Sequence, residues 1–232
     1  MKPRRPPTAP TPDERSTWNG VDPQRIEAAR ALLGAGLAEL SLAAPPEQSE
    51  ALLRLAALLE RWAQRINLSS HRDVETIVGR LILDAAALSR CLPAVSGLVD
   101  LGSGAGFPGL PIAVLRPQCS VLLVEAREKR HHFQRAAVRE LGLRNVAALR
   151  GRAEQLEAQP RELAIGQAMA RPEQALAWLK RWTQLNGWIA LPGGEAPPQI
   201  PPQPDVSFEG VVEYVVPCGG PRRTLWLGRR VS

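Results

Sequence analysis

Hydrophobic positions recur every three or four residues through the first third of the chain. This spacing places them on one face of an α-helix, and each such face needs a partner that buries it. Three stretches carry the pattern: Ile26, Ala29, Leu33, Leu37 and Leu40; Leu52, Leu55, Leu59, Trp62 and Ile66; and Ile77, Leu81, Ala85 and Leu88. We therefore predict a small helical N-terminal region over residues 23–96.

From Gly97 onward the pattern changes to short, continuous apolar runs that are separated by segments of helix length. Such runs are typical of strands that are buried on both faces of a sheet. The predicted strands cover residues 97–101, 121–125, 145–149, 163–169 and 187–191, with helices over 128–141 and 173–183. Strands that alternate with helices predict an α/β, doubly wound, mostly parallel sheet of Rossmann-like type.

The end of this second domain, which we place at 97–232, has a different composition. Residues 192–204 form a loop rich in proline and glycine, and the runs at 211–216 and 224–227 predict a closing pair of strands.

The first 22 residues are rich in proline, threonine and arginine, and we predict that they form a disordered tail. No apolar stretch follows their positive charges, which argues against a secretory signal and leads us to expect a cytoplasmic protein. No apolar run is long enough to span a bilayer, so we expect no membrane association.

The overall charge and the metal-binding residue types narrow the function only slightly. The chain has 29 Lys and Arg against 23 Asp and Glu, a formal charge of +6, which favours a polyanionic partner without requiring one. Its three cysteines, Cys91, Cys119 and Cys218, are far apart and form no C-x-x-C pair. We therefore expect neither a metal site nor a disulfide framework.

The segment with the most chemical information follows the first predicted strand and reads DLGSGAGFPG over residues 100–109. Glycines at that place let the backbone turn sharply and approach a ligand, while the next helix presents free N–H groups. Gly104, Gly106 and Gly109 satisfy the G-x-G-x-x-G spacing of dinucleotide enzymes, so an NAD-dependent oxidoreductase remains an alternative. An acid followed by G-x-G-x-G fits a methyltransferase that binds S-adenosylmethionine.

Two acidic residues bear on that choice. Asp100 at the mouth of the site would attract the cationic methyl donor and repel a pyrophosphate, so it favours S-adenosylmethionine as the cofactor. Glu125 ends the second strand, 23 residues after Gly102 (125 − 102), where a carboxylate can accept hydrogen bonds from both ribose hydroxyls. Glu125 does not discriminate between the two cofactors, because NAD enzymes place an acid there too.

We expect the ligand to bind at the carboxyl ends of the parallel strands, which we call the ligand edge of the sheet. The loop after the third strand and a group of cations also belong to this edge. Residues 152–154 read R-A-E, and the backbone groups of Ala153 and Glu154 are placed to frame the adenine. Some of the cations near this edge are expected to meet a phosphate backbone: Arg127, Lys129, Arg130, Arg135, Arg139, Arg144, Arg150 and Arg152. For Arg135 and Arg139 a solvated helix face is the better interpretation.

These residues together resemble a known family. The motifs are NLSS at 67–70, Asp84, VDLGSGAGFPGLP at 99–111, Lys129-Arg130 and RAE at 152–154. They resemble the bacterial 16S rRNA guanine-N7 methyltransferase family RsmG, also called glucose-inhibited division protein B, over residues 52–191. The resemblance implies methyl transfer to N7 of a guanine in small-subunit RNA, with the small ribosomal subunit as partner.

The resemblance also implies cofactor contacts at Gly102, Phe107, Ala153 and Glu154, with Glu125 at the ribose. Our full set of predicted cofactor-binding residues is Asp100, Gly102, Gly104, Phe107, Glu125, Ala153, Glu154 and Gln167. We assign no catalytic residue, because N7 of guanine already has an exposed lone pair and needs no general base. We expect the protein to act as a monomer.

Three positions depart from the family pattern. Leu81 stands where the family has a histidine, Gln167 where it has an arginine, and Pro192 where it has a lysine. Arg171 is a candidate to replace the missing arginine. The departures leave two interpretations open: a working enzyme with an altered RNA-facing surface, or a divergent relative that binds its ligands with little catalysis.

Overall fold

The computed structural model describes residues 21–64, 68 and 71–232. Most of the predicted tail, together with Asn67, Ser69 and Ser70 of the family motif, lies outside the described residues. At the start of the described part, Val21 is buried, and the side chain of Asp22 accepts a hydrogen bond from the N–H of Gln24 at 2.9 Å. Val21 and Asp22, the last two residues of the segment that we assigned to the tail, therefore belong to the packed structure.

The helical region contains the predicted stripes, except that Ile66 of the second stripe lies outside the described residues. Its helices are α1 (Pro23–Glu39), α2 (Pro46–Ala63), α3 (Val74–Ile77) and α4 (Leu83–Cys91), with a π-helical segment, Val78–Ile82, between the last two. Proline stands in the first turn of α1 and of α2, where its missing N–H costs no helical hydrogen bond. The described stripe positions are buried or packed against buried residues.

The remainder of the chain forms the predicted α/β sheet. Its strands are β1 (Gly97–Leu101), β2 (Ser120–Glu125), β3 (Val146–Arg150), β4 (Arg161–Gly166), β5 (Thr183–Gly193), β6 (Val206–Val215) and β7 (Arg222–Arg230). The helices are α5 (Gly109–Leu115), α6 (Glu128–Glu140) and α7 (Pro172–Trp182). The strand order is β3-β2-β1-β4-β5-β7-β6, in which β1 to β5 are parallel and β7 is antiparallel to both of its neighbours.

Several strand bounds differ from the prediction. Strand β4 ends at Gly166 rather than at residue 169, since the chain turns away and Ala168 adopts a positive φ of 50°. Strand β6 begins at Val206, well before the predicted start at residue 211. The prediction missed its first residues because a register shift between Phe208 and Gly210 interrupts the alternation of the strand. Strand β5 begins at Thr183, where its pairing with β4 is irregular.

Alternate residues of the central strands enter two separate cores. Leu98 and Leu123 join the core that contains α1 to α6, whereas Val99 and Leu122 join the core beneath α7. The N-terminal helices thus share one core with α5, α6 and one face of the sheet. None of the described helices is long and apolar enough to cross a membrane.

Candidate active site

The glycine segment forms a compact loop at the carboxyl end of β1. Gly102, Gly104 and Gly106 have φ values of +64°, +58° and +84°, a region that glycine adopts without steric cost. The carbonyl of Ser103 accepts hydrogen bonds from the N–H groups of Gly106 and Phe107, at 2.7 and 3.0 Å. The N–H of Ser103 donates to the carbonyl of Val124 in β2 at 3.1 Å, which ties the loop to the next strand.

Two buried carboxylates hold this loop at its two ends. Oδ2 of Asp100 accepts a hydrogen bond from the N–H of Gly109 at 3.0 Å, and Oε2 of Glu125 accepts one from the N–H of Gly104 at 2.9 Å. Oε1 of Glu125 also accepts from the N–H of Arg127 at 2.7 Å. Each acid therefore fixes the backbone beside the ligand position, and Glu125 keeps lone pairs for further donors.

The position of Asp100 corrects our expectation of an acid at the mouth of the site. Its side chain is only 1% exposed and lies beneath the loop, where it supports Gly109. Burial raises the pKa of Asp100 to about 7, the Gly109 N–H opposes that rise, and the nearby negative charge of Glu125 adds to it. The direct contact of Asp100 with the cofactor remains a prediction, and its structural role in the loop is clear.

The space beside Gly104 is open in a way that fits a ligand. A Cβ atom at this position would lie 3.9 Å from Nη1 of Arg130, its nearest neighbour, whereas one at Gly106 would lie 2.4 Å from Leu110. A Cβ at Gly102 would lie 2.9 Å from Cβ of Met169, so the segment after β4 packs against the loop. Gly106 is thus required by internal packing, whereas Gly104 has free space beside it, as its predicted contact with the cofactor would need.

The turn after β3 adjoins the same edge, since the N–H of Gly151 donates to the carbonyl of Glu125 at 3.0 Å. The carbonyl of Ala153 already accepts from Nε1 of Trp182 at 3.1 Å, and that of Glu154 from Nη1 of Arg181 at 2.8 Å. We infer that the predicted contact of Ala153 and Glu154 with adenine uses their backbone N–H groups.

The last two predicted cofactor residues, Phe107 and Gln167, lie at the periphery of the site formed by the glycine loop and Glu125. Phe107 is half-buried and packs against the core that contains α5, with a cis peptide bond to Pro108. Gln167 lines a cleft beyond Met169, at the ends of β4 and β5. The structure therefore brings Gly102, Gly104 and Glu125 together, with Phe107 and Gln167 at the periphery, and their contacts with the cofactor remain predictions.

The sequence analysis missed Gln134 in α6. This side chain is fully buried, and its Nε2 donates to Oγ of Ser103 and to the carbonyl of Gly104, both at 2.8 Å. It is a third support of the glycine loop. A glutamine within a helix rich in arginine and glutamate gives no sequence signal that separates it from a solvated residue.

The predicted cations divide between the two edges of the sheet. Arg127, Lys129 and Arg130 stand at the start of α6, beside the glycine loop, and Arg127 and Lys129 are exposed there. Arg144 precedes β3, which places it at the amino edge of a parallel strand and far from the ligand edge. Our expectation that Arg144 lies near the mouth was therefore wrong.

Within the described ranges, no group of His, Cys, Asp or Glu could hold a metal ion.

Comparison with known proteins establishes first the fold and then the family. A solved S-adenosylmethionine-dependent methyltransferase from Aquifex aeolicus shares the fold, with a TM-score of 0.51 and 17% identity over 67% of this chain and 93% of that chain. The model of the GidB family, described as rRNA small subunit methyltransferase G, matches residues 48–225. The chain belongs to this family.

Named relatives of the chain agree with the family match. Ribosomal RNA small subunit methyltransferase G of Chromohalobacter salexigens is 36% identical over 207 residues, which are 88% of this chain and 98% of that protein. The protein of the same name from Stenotrophomonas maltophilia is 40% identical over 167 residues, 71% of this chain and 73% of that protein.

The open space beside Gly104 predicts that Gly104→Val abolishes binding of S-adenosylmethionine, because the branched side chain fills that space. Gly142→Val is the matched control, since Gly142 follows the far end of α6, also has a positive φ, of 63°, and leaves open space within 4 Å of any added Cβ. Each variant should lose about 1–3 kcal/mol of folding stability through backbone strain. Calorimetry should find cofactor binding lost in the first variant only, and equal affinity in both would remove Gly104 from the site.

The raised pKa of Asp100 predicts a pH-dependent stability. Because its pKa in the folded protein is about 7 and its ordinary value is 3.8, its contribution to stability is complete below pH 3.8 and is lost as the pH rises to about 7. Asp100→Asn keeps an oxygen that can accept from Gly109 and cannot ionise. Urea unfolding at pH 5 and pH 8 should therefore show a larger loss in the wild type than in the variant, and equal losses would contradict the burial of a titrating Asp100.

Proposed function

We propose that the chain transfers the methyl group of S-adenosylmethionine to N7 of a guanine in 16S ribosomal RNA. Membership of the rRNA small subunit methyltransferase G family supplies the reaction class. The observation that carries the proposal in this chain is the open space beside Gly104, in a loop that two buried carboxylates hold in place. An intact cradle of this kind supports cofactor binding, and methyl transfer to the small subunit is what separates a working enzyme from a relative that binds its ligands with little catalysis.

The groups at the ligand edge match the parts of S-adenosylmethionine. Glu125 retains acceptor capacity for ribose hydroxyls, and the N–H groups of Ala153 and Glu154 can donate to the ring nitrogens of adenine. The glycine loop gives the backbone close access to the remainder of the molecule. When bound, the cofactor supplies a methyl group on a positively charged sulfur, which a nucleophile with an available lone pair can take.

For methyl transfer to N7 the protein mainly has to position the guanine against the methyl group. N7 of guanine carries no proton and its lone pair lies in the plane of the base, so no side chain has to remove a proton before transfer. Holding N7 in line with the methyl group can supply much of the acceleration. This accounts for a site in which the described carboxylates support the backbone and in which we assign no general base.

Two of the three departures from the family pattern lie together in the structure. Gln167 and Pro192 both line the cleft at the ends of β4 and β5, while Leu81 is part of the π-helical segment. Gln167 and Pro192 therefore change the cleft that we propose receives the RNA base, Leu81 packs against the core, and none of the three alters the glycine loop. We further expect the enzyme to act as a monomer in the cytoplasm, where its RNA substrate would be available.

The direct test is transfer of labelled methyl from S-adenosylmethionine to small ribosomal subunits that lack this modification, with the modified base then mapped. We expect label at N7 of a single guanine in 16S RNA, and none in the Gly104→Val variant. Binding of the cofactor without label in the subunit RNA would contradict the proposed substrate and leave a binding protein or an enzyme with another acceptor.

A further inference from the structure

The cleft at the carboxyl ends of β4 and β5 has a volume of about 330 Å³ and a nearly uncharged lining. Among the described residues that line it, Arg223 alone carries a charge. Arg223 belongs to the start of β7, and since β7 runs antiparallel to β5, its first residues lie beside the end of β5, where Gly193 pairs with Thr224. The last hairpin of the chain thus places one cation at the ligand edge of the sheet.

The cleft adjoins the cofactor loop. Met169 lines it, and the same side chain lies 2.9 Å from the position of a Cβ at Gly102. A group in the cleft is therefore separated from the glycine loop by a single side chain. An acceptor base in this cleft would lie next to the loop that we propose holds the cofactor.

Arg223 is held in place by an acid from another part of the chain. Its Nε donates to Oδ2 of Asp84 at 3.2 Å, and the hydroxyl of Tyr214 donates to Oδ1 of the same carboxylate at 3.2 Å. Burial raises the pKa of Asp84, and the guanidinium of Arg223 and the hydroxyl of Tyr214 oppose that rise. Asp84 follows the π-helical segment closely, and π-helical turns often occur at functional sites.

The remaining nitrogens of Arg223 are available for a ligand. Neither Nη1 nor Nη2 has a hydrogen-bond partner within the described part of the chain, and the side chain is 30% exposed. A guanidinium that is fixed at Nε and free at both Nη atoms presents two parallel donors, the geometry that matches two oxygens of a phosphate.

We propose that Arg223 binds a backbone phosphate of the RNA strand whose guanine enters this cleft, and that Asp84 and Tyr214 position its guanidinium. The inference rests on the proposed function and names a part of its substrate site. It also accounts for the uncharged Gln167 and Pro192 in the same cleft, because β7 supplies the cation there. Arg171, the other candidate to replace the missing arginine, precedes α7 and does not line the cleft, whereas Arg223 does.

The test compares Arg223→Gln with Arg144→Gln, which removes the same charge from an exposed position at the opposite edge of the sheet. Methyl transfer to small subunits that lack the modification is measured with each variant, together with binding of the unmodified subunits at several salt concentrations. Arg223→Gln should raise KM for the subunit about tenfold or more and should leave the Kd for S-adenosylmethionine unchanged. The association constant for the subunit decreases as salt is added. The steepness of the plot of its logarithm against log salt should decrease by about 0.7–0.9 in Arg223→Gln, because one phosphate contact is lost. Arg144→Gln should leave KM and slope close to wild type.

A second pair of variants separates binding from folding. Arg223→Gln leaves Asp84 without its cation and can lower Tm, whereas the double variant Arg223→Gln with Asp84→Asn removes both charges. The double variant should recover Tm while KM and the salt slope stay as in Arg223→Gln. Wild-type KM and wild-type slope in Arg223→Gln, or recovery of both in the double variant, would overturn the proposal.

The activity of the wild type distinguishes failure of the proposed function from failure of the proposed phosphate contact of Arg223. If the wild type transfers no methyl to the subunits, the proposed function fails, and binding of subunits by the wild type and by Arg223→Gln still decides the phosphate contact. If the wild type is active and Arg223→Gln has the same KM and salt slope, the proposed function stands and Arg223 is not part of the substrate site.

Discussion

Two carboxylates that accept backbone N–H groups fix the glycine loop, and the geometry of the whole ligand edge follows from them. Asp100 and Glu125 stand at the carboxyl ends of neighbouring strands, so their oxygens reach the two sides of one loop. Both are nearly fully buried, where an unpaired carboxylate would be costly, and bonds from loop amides offset that cost. These bonds hold the loop in a conformation that leaves space beside Gly104.

The helix after β2 joins this loop to the surface that we propose faces RNA. From α6, the buried Gln134 supports the carbonyl of Gly104, while Arg130 stands one turn earlier beside the open space. A cation such as Arg130 near Gly104 would be drawn to a phosphate. One helix thus supports the glycine loop through Gln134 and carries a cation beside it, which fits the proposal that cofactor and RNA bind at the same edge of the sheet.

The sequence predicted the parts of the molecule that depend on local pattern. The parallel strands and their buried faces follow from continuous apolar runs, and the glycine loop follows from residues 102–109 together with the acids before and after it. Gln134, Asp84 and Arg223 could not be grouped, because their partners lie 30 to 139 residues away in the chain. The burial of Asp100 was missed for a related reason, since only the folded loop determines which side of it the acid occupies.

Exchange of the Gly104 amide hydrogen, followed by NMR in the protein without cofactor, tests the central role of these carboxylates most directly. In the wild type this amide should be protected, and in Glu125→Ala it should exchange rapidly while the Gly109 amide stays protected by Asp100. Calorimetry on the same variant should find the affinity for S-adenosylmethionine weakened by about 1–3 kcal/mol. An unprotected Gly104 amide in the wild type, or full affinity in Glu125→Ala, would contradict a site that depends on carboxylates holding the loop.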